Sequence, residues 1–259
     1  MNRLIAFAYG SVSYLVFLAS FVYAIGFIGN FGVPKAMDSL AEGPVLQALL
    51  TDTGLLLLFA LQHSVMARPA FKRWITRIIP PVIERSTYVL ASSLALLLLF
   101  WHWRPLGGMV WNVEEPILRT VLYAGFAFGW GLVLFTTFVI NHFDLFGLRQ
   151  VWLHLRGRSH KPLRFVTPLF YRIVRHPLYV GWIFAFWCTP VMTVTHLFFA
   201  AVTTAYILVA IRFEERDLVA QHPEYAAYRQ RVPMLIPALP RKAPAPHANA
   251  ELRLKSARG

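Results

Sequence analysis

Two groups of ionisable residues flank one long apolar run near the C-terminal end of the chain. Arg175, His176 and Pro177 stand directly before the run, and Glu214 and Glu215 follow it. Proline suits the first turn of a helix, where free backbone N–H groups attract an anion, while carboxylates attract a cation or a hydroxyl donor. If the run folds back on itself, the two groups meet and suit a zwitterionic, amino-acid-like ligand. The alternative is a set of ion pairs that only pins the fold.

Further polar residues lie where other apolar runs end. Gln62-His63-Ser64 closes the second run, and Asn141-His142-Phe143-Asp144 closes the fourth. Ionisable side chains are costly at membrane depth, and their default interpretation is functional. These two clusters are therefore candidates for chemistry, although His63 could equally cap its helix or reach the interface.

The composition is that of a polytopic membrane protein. The 259 residues are 57% hydrophobic and only 14% charged, and the mean hydropathy is +0.53, whereas about a quarter of the residues of soluble domains are charged. A net charge of +13 would fit nucleic-acid binding, but the charges lie between apolar blocks and form no continuous basic face. We therefore expect membrane lipid as a partner and no nucleic acid.

The apolar blocks predict an all-α integral membrane protein with four transmembrane helices and a C-terminal helical hairpin. A span needs roughly 20 apolar residues. A break at Thr189-Pro190 divides the fifth block into two helices of about 16 residues each, which a hydropathy count would score as one further span, five in all. The blocks are approximately Leu4–Phe31, Val45–Met66, Tyr88–Trp103 with its flanks, Ile117–Asn141 and Leu178–Ile211.

Loop charges predict the orientation. The segments after the second and fourth blocks and the C-terminal tail are basic, whereas the loops near Asp38 and Glu114 are acidic. Because positive loops stay in the cytoplasm, we expect a multi-pass protein of a bacterial inner membrane with a cytoplasmic C-terminus. Both polar groups beside the hairpin then face the cytoplasm, which makes the predicted cofactor site cytoplasmic.

The chain divides into three predicted parts. Residues 1–140 form N-terminal transmembrane helices, residues 141–239 form the core with the hairpin, and residues 240–259 form a disordered basic tail. Phosphate-binding and dinucleotide-binding glycine motifs do not occur in the sequence. The single cysteine, Cys188, excludes an intramolecular disulfide and a cysteine-cluster metal site, and we expect no metal.

The C-terminal third carries a family resemblance. Arg175-His176-Pro177-Leu178-Tyr179, an apolar hairpin, Glu214-Glu215, and then Tyr225-x-x-Tyr228-x-x-x-Val232-Pro233-x-x-Ile236-Pro237 resemble the isoprenylcysteine carboxyl methyltransferase superfamily. Members are integral membrane enzymes that use S-adenosylmethionine (SAM). The resemblance implies a SAM site formed by Gln150, Phe165, Val166, Tyr171, His176, Pro177, Leu178, Tyr179, Glu214 and Glu215.

One departure and the upstream segments refine the resemblance. Ala210 stands where the carboxyl methyltransferases have an arginine for the substrate carboxylate, so a prenylcysteine substrate is not implied. Residues 59–69, 84–88 and 141–150 are similar to the NnrU-like branch and, more closely, to the bacterial methanethiol S-methyltransferases. This resemblance implies SAM-dependent S-methylation of a small thiol, methanethiol, to dimethyl sulfide. The alternatives are methylation of a lipid or isoprenoid, and a non-enzymatic NnrU-type accessory membrane protein.

Thiol methylation sets requirements for the residues around the substrate. A thiolate is the nucleophile, and a small alkyl thiol is mostly protonated at neutral pH, so a proton acceptor or a cation is needed. We expect His142 or Asp144 to accept the proton and Arg149 or Arg212 to lower the pKa of the thiol. The candidate catalytic residues are His142, Asp144 and Arg212, in a small aromatic-lined pocket.

Overall fold

Five helices are long and apolar enough to cross a membrane, as the sequence predicts for an all-α membrane protein. The computed structural model describes residues 1–40, 43–160 and 166–237, so Phe165 and the predicted disordered tail lie outside the described residues. The elements in chain order are α1 (Arg3–Gly29), α2 (Val45–Ala67), α3 (Pro69–Ile75), α4 (Pro81–His102), β1 (Met109–Asn112), α5 (Pro116–Ile140), α6 (His142–Leu145), α7 (Leu148–Leu155), a 3-10 turn (Leu169–Arg172), α8 (Pro177–Trp187), β2 (Val191–Thr193), α9 (Val194–Gln221) and α10 (Pro223–Arg231). The candidate spans are α1, α2, α4, α5 and α9.

The C-terminal hairpin turns at the predicted position but has unequal arms. Helix α8 ends at Trp187, just before Thr189-Pro190, and α9 returns alongside it. Across the turn, the Nε2–H of His196 donates to the carbonyl of Phe186 at 2.8 Å. The prediction of two helices of equal length is wrong, because α8 has 11 residues and α9 has 28.

The length of α9 has a local cause at each end. The Thr193 hydroxyl accepts the His196 N–H at 3.0 Å and caps the start. Beyond the apolar part, the residues that follow Ile211 are good helix formers, and no glycine or proline occurs before Pro223. Hydropathy detects only the apolar part of this helix, and so its polar extension was missed.

A short antiparallel ribbon, which sequence analysis did not predict, covers the hairpin turn. Strands β1 and β2 pair with Met109 opposite Thr193 and Asn112 opposite Val191. The carbonyl of Pro190 accepts the Val113 N–H at 2.9 Å. The ribbon therefore satisfies backbone groups that the break in the helix sets free.

Helices α5 and α8 cross where glycines face each other. A Cβ added to Gly129 would lie 2.5 Å from the Ala185 nitrogen and 2.7 Å from the Gly181 oxygen. Small residues let membrane helices approach closely. This contact fixes α8 against the bundle and thereby positions the polar residues at its start.

Replacing Gly129 with alanine should lower the free energy of unfolding by about 1–3 kcal/mol, because the added methyl group meets backbone atoms. Thermal unfolding of the purified protein in detergent measures the change. Gly131→Ala is the matched control on the same helix, since a Cβ there meets nothing within 4 Å. Equal unfolding midpoints for the two variants would contradict the close crossing.

Candidate functional site

The buried carboxylate of Glu215 joins the two ends of the hairpin. Its Oε1 accepts the Arg175 Nε–H at 2.6 Å, the His176 Nε2–H at 3.0 Å and the Tyr225 hydroxyl at 3.3 Å. The Glu215 side chain is only 10% exposed. The residues that precede and follow the apolar run therefore meet, as the fold-back prediction requires. We call Arg175, His176, Glu215 and Tyr225 the Glu215 cluster.

The segment after α10 is tied to the start of α8. The backbone N–H groups of Arg175 and His176 donate to the carbonyls of Pro233 and Met234 at 2.8 and 3.2 Å. The Arg175 guanidinium also reaches the carbonyls of Arg229 and Val232. The Val-Pro motif near the end of the described chain is thus a strap that fixes the backbone before α8.

A tyrosine side chain ties α10 to the 3-10 turn before α8. The Tyr228 hydroxyl donates to the carbonyl of Tyr171 at 2.5 Å. Burial raises the pKa of Tyr228 to about 12 and also raises the pKa of Tyr171, so both phenols stay protonated at neutral pH. Tyr171, a predicted cofactor residue, therefore lies beside the Glu215 cluster as a neutral aromatic group.

Glu214 differs from its neighbour in having free capacity for a ligand. Its Oε2 accepts the Tyr179 hydroxyl at 2.9 Å and lies 3.9 Å from the His176 Nδ1. The Glu214 side chain is 42% exposed, whereas that of Glu215 is 10% exposed and its Oε1 accepts three hydrogen bonds. Of the two carboxylates, Glu214 is the one that can bind a cation or a hydroxyl donor.

The start of α8 lies beside Glu214. Pro177 occupies the first turn and is buried, and no side chain caps this helix end. The N–H groups of Tyr179 and Val180 donate to the His176 carbonyl at 3.1 Å. The Leu178 N–H and the positive end of the helix dipole therefore remain for an anion. Leu178 and Tyr179 form the same first turn, so the structure brings four of the predicted cofactor residues together with Glu214.

A further set of polar side chains from α2, α4 and α9 borders this region. The Tyr88 hydroxyl is 3.0 Å from the His63 Nε2, and the Ser64 hydroxyl is 3.0 Å from that of Tyr206. Tyr88 and Tyr206 both lie within electrostatic range of Tyr179. Sequence analysis singled out Gln62-His63-Ser64 without assigning a role. It missed Tyr206, which is a single tyrosine inside an apolar run.

A second cluster contains His142, Asp144 and Gln150. The His142 ring nitrogens lie 2.8 Å from the hydroxyls of Tyr14 and Thr137. Asp144 bonds to His160 at 2.7 Å, and the Gln150 Nε2–H donates to the Asp144 carbonyl at 3.0 Å. Among the described residues, the polar partners of this cluster lie on α1, α5 and the segment around α6 and α7, whereas those of Glu214 lie on α8.

The remaining predicted residues are Arg212, Val166 and Phe165. Arg212 is exposed on α9 and lines a cavity of about 290 Å³ with Glu215, Arg216 and Arg229. Val166 is 64% exposed, and the neighbouring Phe165 lies outside the described residues. These placements leave the roles of Arg212, Val166 and Phe165 as predictions.

The fold and the site define a multi-pass, mostly helical membrane protein with a group of ionisable side chains beside a membrane hairpin. The chain is 57% identical over 244 residues to the methanethiol S-methyltransferase of Crocosphaera subtropica, covering 94% of this chain and 96% of the relative. It is 53% identical over 238 residues to that of Mycobacterium tuberculosis, covering 92% and 98%. The chain belongs to the methanethiol S-methyltransferase family.

More distant similarity extends beyond bacteria. Nurim of Bos taurus is 31% identical over 227 residues, covering 82% of this chain and 85% of the relative. No family model matches the chain, and no solved structure matches it.

Replacing Glu215 with alanine should cost about 3–5 kcal/mol of stability, because a buried guanidinium would lose its carboxylate. Asp217→Ala is the control on the same helix. Its pair with Arg68 is about a third exposed, so its loss should cost less than about 1 kcal/mol. Thermal unfolding in detergent compares the two, and equal losses would refute a structural role for the Glu215 cluster.

Proposed function

We propose that the protein transfers a methyl group from SAM to a small thiol and converts methanethiol to dimethyl sulfide. The observation that carries this proposal is the similarity, at 48–57% identity over more than nine-tenths of the chain, to several methanethiol S-methyltransferases. The ionisable site beside the hairpin supports it, because its charges match those of an amino-acid-like cofactor.

The residues present suit SAM. Glu214 keeps an exposed carboxylate for the ammonium group or a ribose hydroxyl, and the start of α8 supplies the Leu178 N–H and the positive end of its dipole for the SAM carboxylate. Tyr171 and Tyr179 offer aromatic faces for a sulfonium or an adenine. When bound, SAM supplies a methyl group made electrophilic by its sulfonium sulfur.

The surrounding residues then have separate tasks. Glu215 holds Arg175 and His176 in place and acts as a positioning residue. His142 is the neutral base of the three predicted catalytic residues, because burial lowers its pKa. Asp144, paired with His160 and Arg149, positions α7. Arg212 supplies a cation on the exposed surface of α9.

The substrate assay tests the reaction. Purified protein in lipid nanodiscs, given SAM and methanethiol, should release dimethyl sulfide into the headspace, measured by gas chromatography. The rival substrate is a lipid or isoprenoid, so a parallel reaction uses SAM with a labelled methyl group and a lipid extract. Labelled lipid without dimethyl sulfide would replace the proposal with that rival, and no product in either reaction would favour an accessory protein without turnover.

The same assay reports the orientation. We propose that the site and the C-terminus face the cytoplasm, as the basic loops indicate. Since SAM does not cross the membrane freely, inside-out vesicles should be active with added SAM and right-side-out vesicles should not. Activity only in right-side-out vesicles would reverse the orientation.

Glu214→Gln should weaken SAM binding at least about tenfold, because it removes the charge from a hydrogen-bonding partner while keeping its shape. Isothermal titration measures the Kd. Asp217→Asn is the control, since it removes a carboxylate three residues further along α9 that pairs with Arg68 instead. Unchanged affinity in Glu214→Gln would refute the proposed cofactor site.

A further inference from the structure

A groove of about 530 Å³ lies between α1 and the segment from α6 to α7. Its polar lining residues are Ser11, Tyr14, Asn141 and Arg149, and its rim includes the exposed rings of Phe143 and Trp152. The groove therefore combines an apolar rim with polar lining groups. Such a lining suits a small apolar molecule with one ionisable atom.

A chain of hydrogen bonds runs from this groove into the protein and fixes the tautomer of His142. The Thr137 hydroxyl donates to the carbonyl of Leu134 at 2.7 Å, so its oxygen is left to accept the Nδ1–H of His142 at 2.8 Å. The Nε2 of His142 is then unprotonated. It accepts the Tyr14 hydroxyl at 2.8 Å.

The imidazole is held rigidly in an apolar setting. His142 is 4% exposed, and its ring stacks on Phe138 with centroids 4.2 Å apart and planes within 5°. The ring of Phe146 meets it edge-on at 4.8 Å. His142 thus has a fixed orientation, and among the described residues the Tyr14 hydroxyl is its direct polar link to the groove. An oriented neutral base of this kind is what proton abstraction needs.

We propose that this groove binds the thiol and that Tyr14 is a further catalytic residue, which passes the thiol proton to His142. The inference rests on the proposed function. In the step, the S–H bond breaks and the proton bonds to the Tyr14 oxygen, while the proton of Tyr14 moves to Nε2. The products are a thiolate and an imidazolium whose Nδ1–H still bonds to Thr137.

Nearby charges favour this transfer. The new anion forms beside Tyr14 as the imidazolium forms behind it, so the attraction between the two charges offsets part of the cost of charging the buried imidazole. Arg149 adds a cation at the groove, 3.6 Å from the Asp144 carboxylate. A lipid acyl chain has no polar atom to meet Tyr14 and Arg149 in the groove, whereas a thiol has one ionisable atom, and a small thiol is therefore the better match.

The test compares Tyr14→Phe with Tyr9→Phe. Tyr9 lies on the same helix, and its hydroxyl bonds to Thr87 at 3.0 Å on α4. With methanethiol, Tyr14→Phe should lower kcat by about a hundredfold or more, while SAM affinity and the Tyr9→Phe rate stay near those of the unmodified protein. With thiophenol, an acidic thiol that is already largely ionised, Tyr14→Phe should recover most of the rate. Equal losses with both thiols would overturn the relay.

A second measurement needs no methyl donor. Thiolates absorb in the ultraviolet where thiols do not, so methanethiol bound to the unmodified protein should give a thiolate difference spectrum that Tyr14→Phe lacks. A spectrum in both proteins would overturn the proposal. If the thiolate forms only with Tyr14 but no dimethyl sulfide is made, the thiol site stands and the proposed reaction fails. If dimethyl sulfide is made equally by both proteins, the relay alone fails.

Discussion

The burial of one carboxylate constrains the architecture of the C-terminal third. Removing a charge from water costs several kcal/mol unless partners compensate it, and Glu215 obtains those partners from Arg175, His176 and Tyr225. Meeting them requires the hairpin to close, α10 to fold against α9 and the strap to lie across the start of α8. The hairpin, α10 and the strap are therefore arranged so that the charge of Glu215 is neutralised.

Glu214 and Glu215 have different surroundings because they are consecutive residues of α9. Consecutive residues of an α-helix point about 100° apart, so one carboxylate faces the protein and the next faces an accessible space. Glu215 is 10% exposed and accepts its hydrogen bonds through Oε1, whereas Glu214 is 42% exposed. The buried carboxylate of Glu215 fixes the backbone that carries Glu214. A rigid support of this kind keeps a binding geometry accurate.

Much of this arrangement can be predicted from the amino-acid sequence, and the features that were not predicted have physical causes. The break at Thr189-Pro190 and the meeting of Arg175 with Glu215 follow from charge placement, because ions at membrane depth must find partners. The extension of α9 is polar and invisible to hydropathy, and the β1–β2 ribbon depends on pairing between distant segments. Tyr14 and Tyr206 are single tyrosines in apolar runs, so nothing local separates them from ordinary interfacial aromatics.

The long arm of the hairpin, α9, is a single continuous helix. With 28 residues and a rise of 1.5 Å each, α9 is a rod of about 42 Å, longer than the hydrocarbon layer. At one end of α9, the Thr193 hydroxyl donates a hydrogen bond to the Asp38 carboxylate in the loop between α1 and α2. Glu215 lies near the other end of α9. Because α9 has no proline or glycine to bend it, one continuous helix connects the ribbon at one end with the carboxylates at the other.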